Sequence, residues 1–223
     1  MVQATNRLDA EPPVIRLVAE NLAKKFNTEW LFRDFNYRFD ANTIYAITGP
    51  NGSGKSTLLQ ILWGQMPSTA GLIRYEVAGM PVENDEMYNH IAIATPYLDL
   101  IDELSLNEQV DFHFRLKPIL PGFTAKQVIH NLYLDDAADK PIGNFSSGMK
   151  QRLKLGLAFY TDVPAVFLDE PGTNLDTKAF AWYQNLLATH SKNRLVIIAS
   201  NNKEEYPVHT RIIAIDEFKP KPS

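Results

Sequence analysis

The sequence predicts an α/β fold with a mostly parallel central sheet, and three observations lead to this class. A glycine-rich segment at residues 49–57 joins a short, mostly apolar strand at 43–48 to a helix that begins at Lys55. Strands and helices then alternate along the chain, which is the pattern of a parallel sheet with helical crossovers. The later strands are short and apolar. They are predicted at residues 91–95, 165–168, 194–199 and 211–215.

An antiparallel β part is predicted around the glycine-rich segment. Phe35, Tyr37 and Phe39 alternate with polar residues, which is the period of a half-buried antiparallel strand. A strand at 14–18 precedes them, and another strand is predicted at 71–77, after the first helix.

Capping residues mark where several helices begin. Ser105 and Glu108 form a capping box, and Thr124 caps the next helix. Asp176 caps a helix that ends near His190, whereas the helix that begins at Lys55 is predicted to extend to Met66. These signals predict that residues 97–160 are mainly helical.

One domain is predicted over residues 1–223, with a core at about 14–96 and 161–215 and a helical subdomain at about 97–160 between its two parts. Residues 1–13 are predicted to form a loose lead-in, and the tail at 218–223 is predicted to be unstructured.

The composition excludes several classes of protein. A net charge of −4 gives no broad surface for nucleic acid, and without cysteines no disulfide can form. The chain contains neither an apolar run long enough to span a bilayer nor an N-terminal signal pattern. We therefore expect a cytoplasmic protein whose role at a membrane, if it has one, depends on a partner.

The glycine-rich segment has the spacing of a phosphate-binding loop, a glycine followed by four residues and then Gly-Lys-Ser. Backbone N–H groups can surround a phosphate closely only where side chains are small or absent. Lys55 is predicted to contact the β- and γ-phosphates, and the Ser56 hydroxyl to bind Mg²⁺. The predicted nucleotide-binding residues here are Gly49, Pro50, Asn51, Gly52, Ser53, Gly54, Lys55, Ser56 and Thr57.

Two acidic residues follow the apolar strand at 165–168. In phosphate-loop ATPases an aspartate at this strand end holds Mg²⁺, and an adjacent carboxylate can act as general base on the attacking water. We assign these roles to Asp169 and Glu170. The alternative is a solvated pair of acids at the end of a strand.

Ser146, Ser147 and Gly148 begin a helix with an apolar stripe. A helix start made of small residues favours an anion, because its free N–H groups and dipole attract negative charge. On these residues alone, a plain N-cap by one of the serines is a competing explanation.

Together these segments resemble the ATP-binding-cassette (ABC) ATPases, the nucleotide-binding subunits of ABC transporters, from about residue 14 to 215. The resemblance implies that ATP and Mg²⁺ bind in a head-to-tail dimer, between one subunit's phosphate loop and the Ser146–Gly148 signature of a second ABC ATPase subunit. It places Asp176 in the loop that crosses between subunits. It also implies that Phe26 stacks on adenine, although Trp30 or Phe32 could serve instead.

Two family positions are altered. The family has a glutamine after the strand at 91–95, and none occurs at residues 95–99; Gln109 lies too far into the next helix to replace it. A histidine expected after the strand at 194–199 is replaced by Asn201, which can hydrogen-bond a phosphate but cannot shuttle a proton. His190 is interpreted as a surface residue at a helix end.

The signature also departs from the family pattern at three positions, Phe145, Ser147 and Met149. We therefore expect slow ATP hydrolysis with intact ATP binding, Glu170 and Lys55 being the main catalytic residues and Asn201 an accessory one. The expected role is to energise integral membrane transporter subunits from the cytoplasmic face of the membrane. The alternatives are a soluble ABC ATPase acting on a cytosolic partner, and a nucleotide-gated subunit that hydrolyses little.

Overall fold

The computed structural model describes residues 14–220. The predicted lead-in at 1–13 and the last three residues of the predicted tail lie outside this range. The strands are β1 (Ile15–Phe26), β2 (Glu29–Asp40), β3 (Thr43–Thr48), β4 (Ala70–Val77), β5 (Met80–Val82), β6 (Ile91–Ala94), β7 (Ala165–Asp169), β8 (Leu195–Ala199) and β9 (Arg211–Ala214). The helices are α1 (Lys55–Leu62), α2 (Leu106–Leu116), α3 (Ala125–Asn131), α4 (Ser147–Tyr160) and α5 (Thr177–His190).

The central sheet has five parallel strands in the order β6-β7-β8-β3-β9. Both of its faces are buried. Along β7, Phe167 packs into the cluster on the side of α1, and its neighbours Val166 and Leu168 pack into the cluster on the side of α4 and α5. Because alternate side chains of a strand point to opposite faces, a strand buried on both faces needs an unbroken apolar sequence. This is why β7 and β8 contain no internal polar residue.

The second sheet is antiparallel, in the order β2-β1-β4-β5. Its apolar face packs over β3 and α1, so the predicted α/β class with an N-terminal antiparallel part is confirmed. Here β1 is much longer than the predicted strand at 14–18, because it continues through polar residues with register shifts. Pro81, predicted in a turn, lies in β5 at the sheet edge, where a missing N–H is tolerated.

Helix starts agree closely with the predictions. Ser105 and Thr124 each accept from the backbone N–H three residues later, and both capping boxes are complete. The helix after the phosphate loop ends at Leu62 rather than at Met66, because Gly64 adopts a φ of +84° and the chain turns away.

The helices α2, α3 and α4 pack on one another and on the central sheet in one cluster. They fall within residues 97–160, although the division into core and subdomain stays a prediction. Within residues 14–220, no helix has the length and apolar character that crossing a membrane requires. The tail prediction is wrong for its first residues: Phe218 ends a 3₁₀ turn, and its ring lies 4.7 Å from that of Phe35.

Candidate functional site

The phosphate loop connects the end of β3 to α1 with a backbone that requires glycine. Gly49 and Gly54 have φ values of +147° and +105°, which side chains disfavour. A Cβ at Gly49 would lie 2.8 Å from the Ser53 hydroxyl, and one at Gly54 would lie 2.7 Å from the Leu31 side chain. The loop is therefore shaped by close packing as well as by its dihedral angles.

Lys55 is held against the loop that precedes it. Its Nζ donates to the carbonyl oxygens of Gly49 and Pro50, at 2.9 and 3.1 Å. The buried Ser53 hydroxyl makes no hydrogen bond within the described chain. An ammonium and an unpaired hydroxyl beside free N–H groups at the start of α1 suit a phosphate.

Asp169 meets Ser56 beneath this loop. The Ser56 hydroxyl donates to Oδ1 of Asp169 at 3.0 Å, and Asp169 is only 1 % exposed. Burial raises the pKa of Asp169 to about 6, and the nearby Glu170 carboxylate adds to this rise, while the Ser56 hydrogen bond and Lys55 oppose it. Ser56 and Asp169 lie 113 residues apart in the sequence, and the fold brings them into contact; their shared role in holding Mg²⁺ stays a prediction.

This pair suits Mg²⁺. A hydroxyl and a carboxylate provide hard oxygen ligands, and Mg²⁺ is commonly held by one or two such protein groups together with phosphates and water. Residues 14–220 contain no cluster of three or more His, Cys, Asp or Glu side chains that could hold a metal on its own. A cation here would thus depend on the bound nucleotide as well as on the protein.

Glu170 has an unusual backbone at the end of β7. Its φ is +44°, a left-handed value that is rare for a residue with a long side chain. Its N–H donates to the Ala199 carbonyl at 2.9 Å, and its own carbonyl accepts from the Thr173 N–H at 3.0 Å. The tight turn directs Glu170 out of the sheet and into the cleft beside the phosphate loop.

A cleft of about 580 Å³ contains these groups, a volume typical of small-molecule sites. Its lining residues are Phe26, Leu31, Asn51, Gly52, Gly54, Lys55, Ser56, Thr57, Tyr97 and Glu170. The structure thus brings most of the predicted loop residues together with Glu170. Tyr97 was not predicted here, because one exposed tyrosine in a turn gives no sequence signal.

Of the three aromatic candidates for adenine, Phe26 is the one that lines the cleft. Its ring is 49 % exposed, with the Lys24 ammonium 5.1 Å from its centre. The Trp30 ring instead has the cations of Lys25 and Arg33 at 5.2 and 4.7 Å from its centre, and Phe32 is completely buried. Contact between Phe26 and adenine stays a prediction.

The signature segment lies outside the cleft. The Ser146 hydroxyl accepts from the Met149 N–H at 3.2 Å, so Ser146 is the N-cap of α4, and both Ser146 and Ser147 are exposed. Gly148 is needed for packing, because a Cβ there would lie 2.8 Å from the Asn174 carbonyl oxygen. The start of α4 therefore rests on the loop that follows Glu170.

Asp176, a predicted site residue, and Gln151, which was not predicted, also have local roles. Asp176 caps α5 by accepting from the Ala179 N–H at 2.8 Å, and it does not line the cleft. Gln151, in the second turn of α4, is buried and donates to the Pro171 carbonyl at 2.9 Å. This second contact between α4 and the loop after Glu170 spans 20 residues and has no sequence signal.

Asn201, Gln109 and His190, the residues considered for the two altered family positions, lie in different environments. Asn201 is exposed and is not among the residues that line the cleft. Gln109 is buried and accepts from the Ile101 N–H at 3.0 Å, in agreement with its exclusion from the site. His190 is not a simple surface residue: its ring packs 4.8 Å from that of Tyr160, and burial lowers its pKa.

Comparisons with known proteins agree with this geometry. The family model described as "ABC transporter" matches residues 32–173. The chain is 29 % identical over 192 residues to the ABC transporter ATP-binding protein YybJ of Bacillus subtilis, covering 83 % of this chain and 85 % of that one. It is also 29 % identical over 221 residues to ABC transporter A family member 4 of Dictyostelium discoideum, covering 92 % of this chain but only 13 % of that protein's length.

A solved structure of the cassette MJ0796, a dimer in a post-hydrolysis state bound to ADP and Pi, superposes with a TM-score of 0.76. The two sequences are 22 % identical, and the superposition covers 89 % of this chain and 94 % of that one. At this identity the likeness establishes the fold. With the matched family model and the assembled phosphate-loop cleft, the chain belongs to the ABC transporter family as an ATP-binding-cassette ATPase, a nucleotide-binding subunit.

Proposed function

We propose that this chain energises a membrane transporter through ATP-driven closure of a head-to-tail dimer of cassettes. The proposal rests on the observation that the predicted ATP-binding residues lie in two separate regions of the chain. The cleft holds the phosphate loop and Glu170, whereas the exposed start of α4 at Ser146 and Ser147 lies outside it. A second cassette in antiparallel orientation would bring its Ser146–Gly148 segment to ATP bound in this cleft.

In this proposal, different residues of the cleft bind the nucleotide and transfer the proton. The phosphate loop and Lys55 bind and orient the triphosphate, and Glu170 accepts a proton from the attacking water. Ser56 and Asp169 would hold Mg²⁺, which neutralises phosphate charge when bound. The products are ADP and inorganic phosphate, with the proton initially on the Glu170 carboxylate.

Turnover is slow in this proposal because two accessory groups are missing. Asn201 is exposed and cannot carry charge, and Tyr97, rather than a glutamine, lies beside the cleft. Neither change touches the loop that binds the phosphates. ATP binding and ATP turnover should therefore be affected unequally.

A groove supports the assignment of a membrane partner. It measures about 410 Å³ and lies beside the end of α1 and the start of β6. Two of its lining residues, Tyr88 and Tyr97, are exposed aromatic side chains, and Tyr97 also lines the nucleotide cleft. A partner docked there would contact a residue of the ATP site. In this proposal the partner is an integral membrane protein, and this chain works at the cytoplasmic face of the membrane.

The first test compares steady-state ATP turnover of the wild-type chain with that of Glu170→Gln. Loss of the general base should lower kcat by about 100-fold or more, with little change in ATP affinity. Equal rates in the two proteins would refute hydrolysis at this cleft.

Assembly is tested separately. Glu170→Gln with MgATP should form a dimer in size-exclusion light scattering, and a monomer under the same conditions would contradict the divided site. Detergent pull-down with mass spectrometry then identifies the partner. Recovery of a polytopic membrane protein supports transport, whereas recovery of a soluble partner alone favours the cytosolic alternative.

A further inference from the structure

Glu205 is a buried carboxylate that the reaction above does not use. It ends the 3₁₀ turn Lys203–Glu205, which follows β8, and it is only 5 % exposed. Its Oε2 has no hydrogen-bond partner within the described chain. Burying a carboxyl group in this way costs free energy, so stability of the turn alone does not explain it.

The other oxygen of Glu205 reaches the loop that follows Glu170. Oε1 accepts from the Gly172 N–H at 3.2 Å. Gly172 makes this contact possible, because a Cβ there would lie 2.5 Å from Oε1. Burial raises the pKa of Glu205, and the carboxylates of Glu170 and Asp169 also raise it.

Gly172 lies within the turn that sets the direction of Glu170. That turn starts at a strained φ of +44° and is closed by the bond from the Thr173 N–H to the Glu170 carbonyl. A strained conformation persists only where neighbouring groups fix it. Here a side chain from another element fixes the turn: Glu205, in the turn after β8, accepts the hydrogen bond from the Gly172 N–H.

We propose that Glu205 is a positioning residue that holds the turn carrying Glu170 in its catalytic geometry through the Gly172 N–H. Glu205 itself lies in the segment after β8 that also contains Asn201, so this hydrogen bond joins that segment to the turn after β7. The turns after β7 and β8 thus keep one relative position during hydrolysis. This inference rests on the proposed role of Glu170 as the general base.

The test measures kcat, KM and ATP affinity for Glu205→Ala, Glu205→Gln and the neighbouring control Glu204→Ala, whose side chain is exposed. A misplaced base should lower kcat of Glu205→Ala by about tenfold or more, with KM within about twofold, since the phosphate loop is untouched. Glutamine keeps an oxygen acceptor for the Gly172 N–H, so Glu205→Gln should retain kcat within about threefold. Glu204→Ala should match the wild type.

An independent variant approaches the contact from the other side. Gly172→Ala places a methyl group against Oε1 of Glu205 and also against the Phe180 ring. It should lower kcat with KM unchanged, even if Glu205→Ala does not fold. Wild-type kcat in Gly172→Ala or Glu205→Ala would overturn the proposal. So would a Glu205→Gln loss as large as that of Glu205→Ala, or a parallel loss of kcat and ATP affinity. If Glu170→Gln turns over as fast as the wild type, the proposed function fails, and the Glu205 variants are not needed to show it.

Discussion

The phosphate cleft and the start of α4 differ in how many of their groups are packed or hydrogen-bonded within this chain. The cleft is built by its own residues: glycines at positive φ pack closely against Leu31 and Ser53, and the Lys55 ammonium donates to a carbonyl oxygen of the loop. At the start of α4, by contrast, the backbone is packed while the serine side chains face solvent. One region is built to bind a ligand by itself, and the other presents groups that a second molecule can use.

Of the substitutions that test this difference between the two regions, Gly148→Ala should have the largest effect on ATP turnover. The added Cβ would meet the Asn174 carbonyl at 2.8 Å, and a backbone oxygen cannot move aside cheaply. The start of α4 should shift, lowering ATP turnover by about tenfold while ATP affinity of the monomer stays within about twofold. Steady-state kinetics and equilibrium nucleotide binding measure the two effects.

Gly156→Ala is the matched control for this prediction. It lies in the same helix, but its Cβ would meet the side chain of Leu132 rather than the loop after Glu170. It should lower the thermal stability without a specific loss of turnover below its melting temperature. Equal losses of turnover in the two variants would show that α4 stability, rather than the position of its first turn, is what matters.

Asn201→His tests the same difference in the opposite direction, because it should raise ATP turnover. Restoring an imidazole at the exposed turn after β8 adds a group that can carry charge, so turnover should rise by about two- to tenfold. ATP affinity should change little, because Asn201 does not line the cleft. A fall in turnover would instead indicate that the amide has a role of its own.

Phe26→Ala should have the smallest effect, confined to binding. Loss of a half-exposed ring that lines the cleft should weaken ATP binding by about two- to fivefold, the lower part of the range for one aromatic contact. Trp30→Ala serves as the control, since Trp30 does not line the cleft. If Trp30→Ala weakens binding more, the assignment of Phe26 to adenine is wrong.

The sequence predicted most reliably what local chemistry dictates. The phosphate loop requires glycine at particular dihedral angles, and the capping boxes at Ser105 and Thr124 lie within four residues of chain. The end of α1 was misplaced because Gly64 outweighs the apolar pattern that continues to Met66.

Contacts between distant segments could not be predicted in this way. Gln151 meets Pro171 and Glu205 meets Gly172 across 20 and 33 residues, with no periodicity to reveal them. The pairing of Ser56 with Asp169, 113 residues apart, was predicted only because the phosphate-loop motif implies it. Tyr97 and the packing role of Gly148 likewise depend on what the fold brings near them.

The left-handed backbone of Glu170 gives this enzyme a trade-off between activity and stability. Glycine would relieve the dihedral strain at that position, a gain of about 1 kcal/mol, but would remove the proposed general base. Substitutions that inactivate the site can therefore leave the protein as stable as before, or more so. Selection for a durable fold alone would not keep this glutamate; only selection for hydrolysis would.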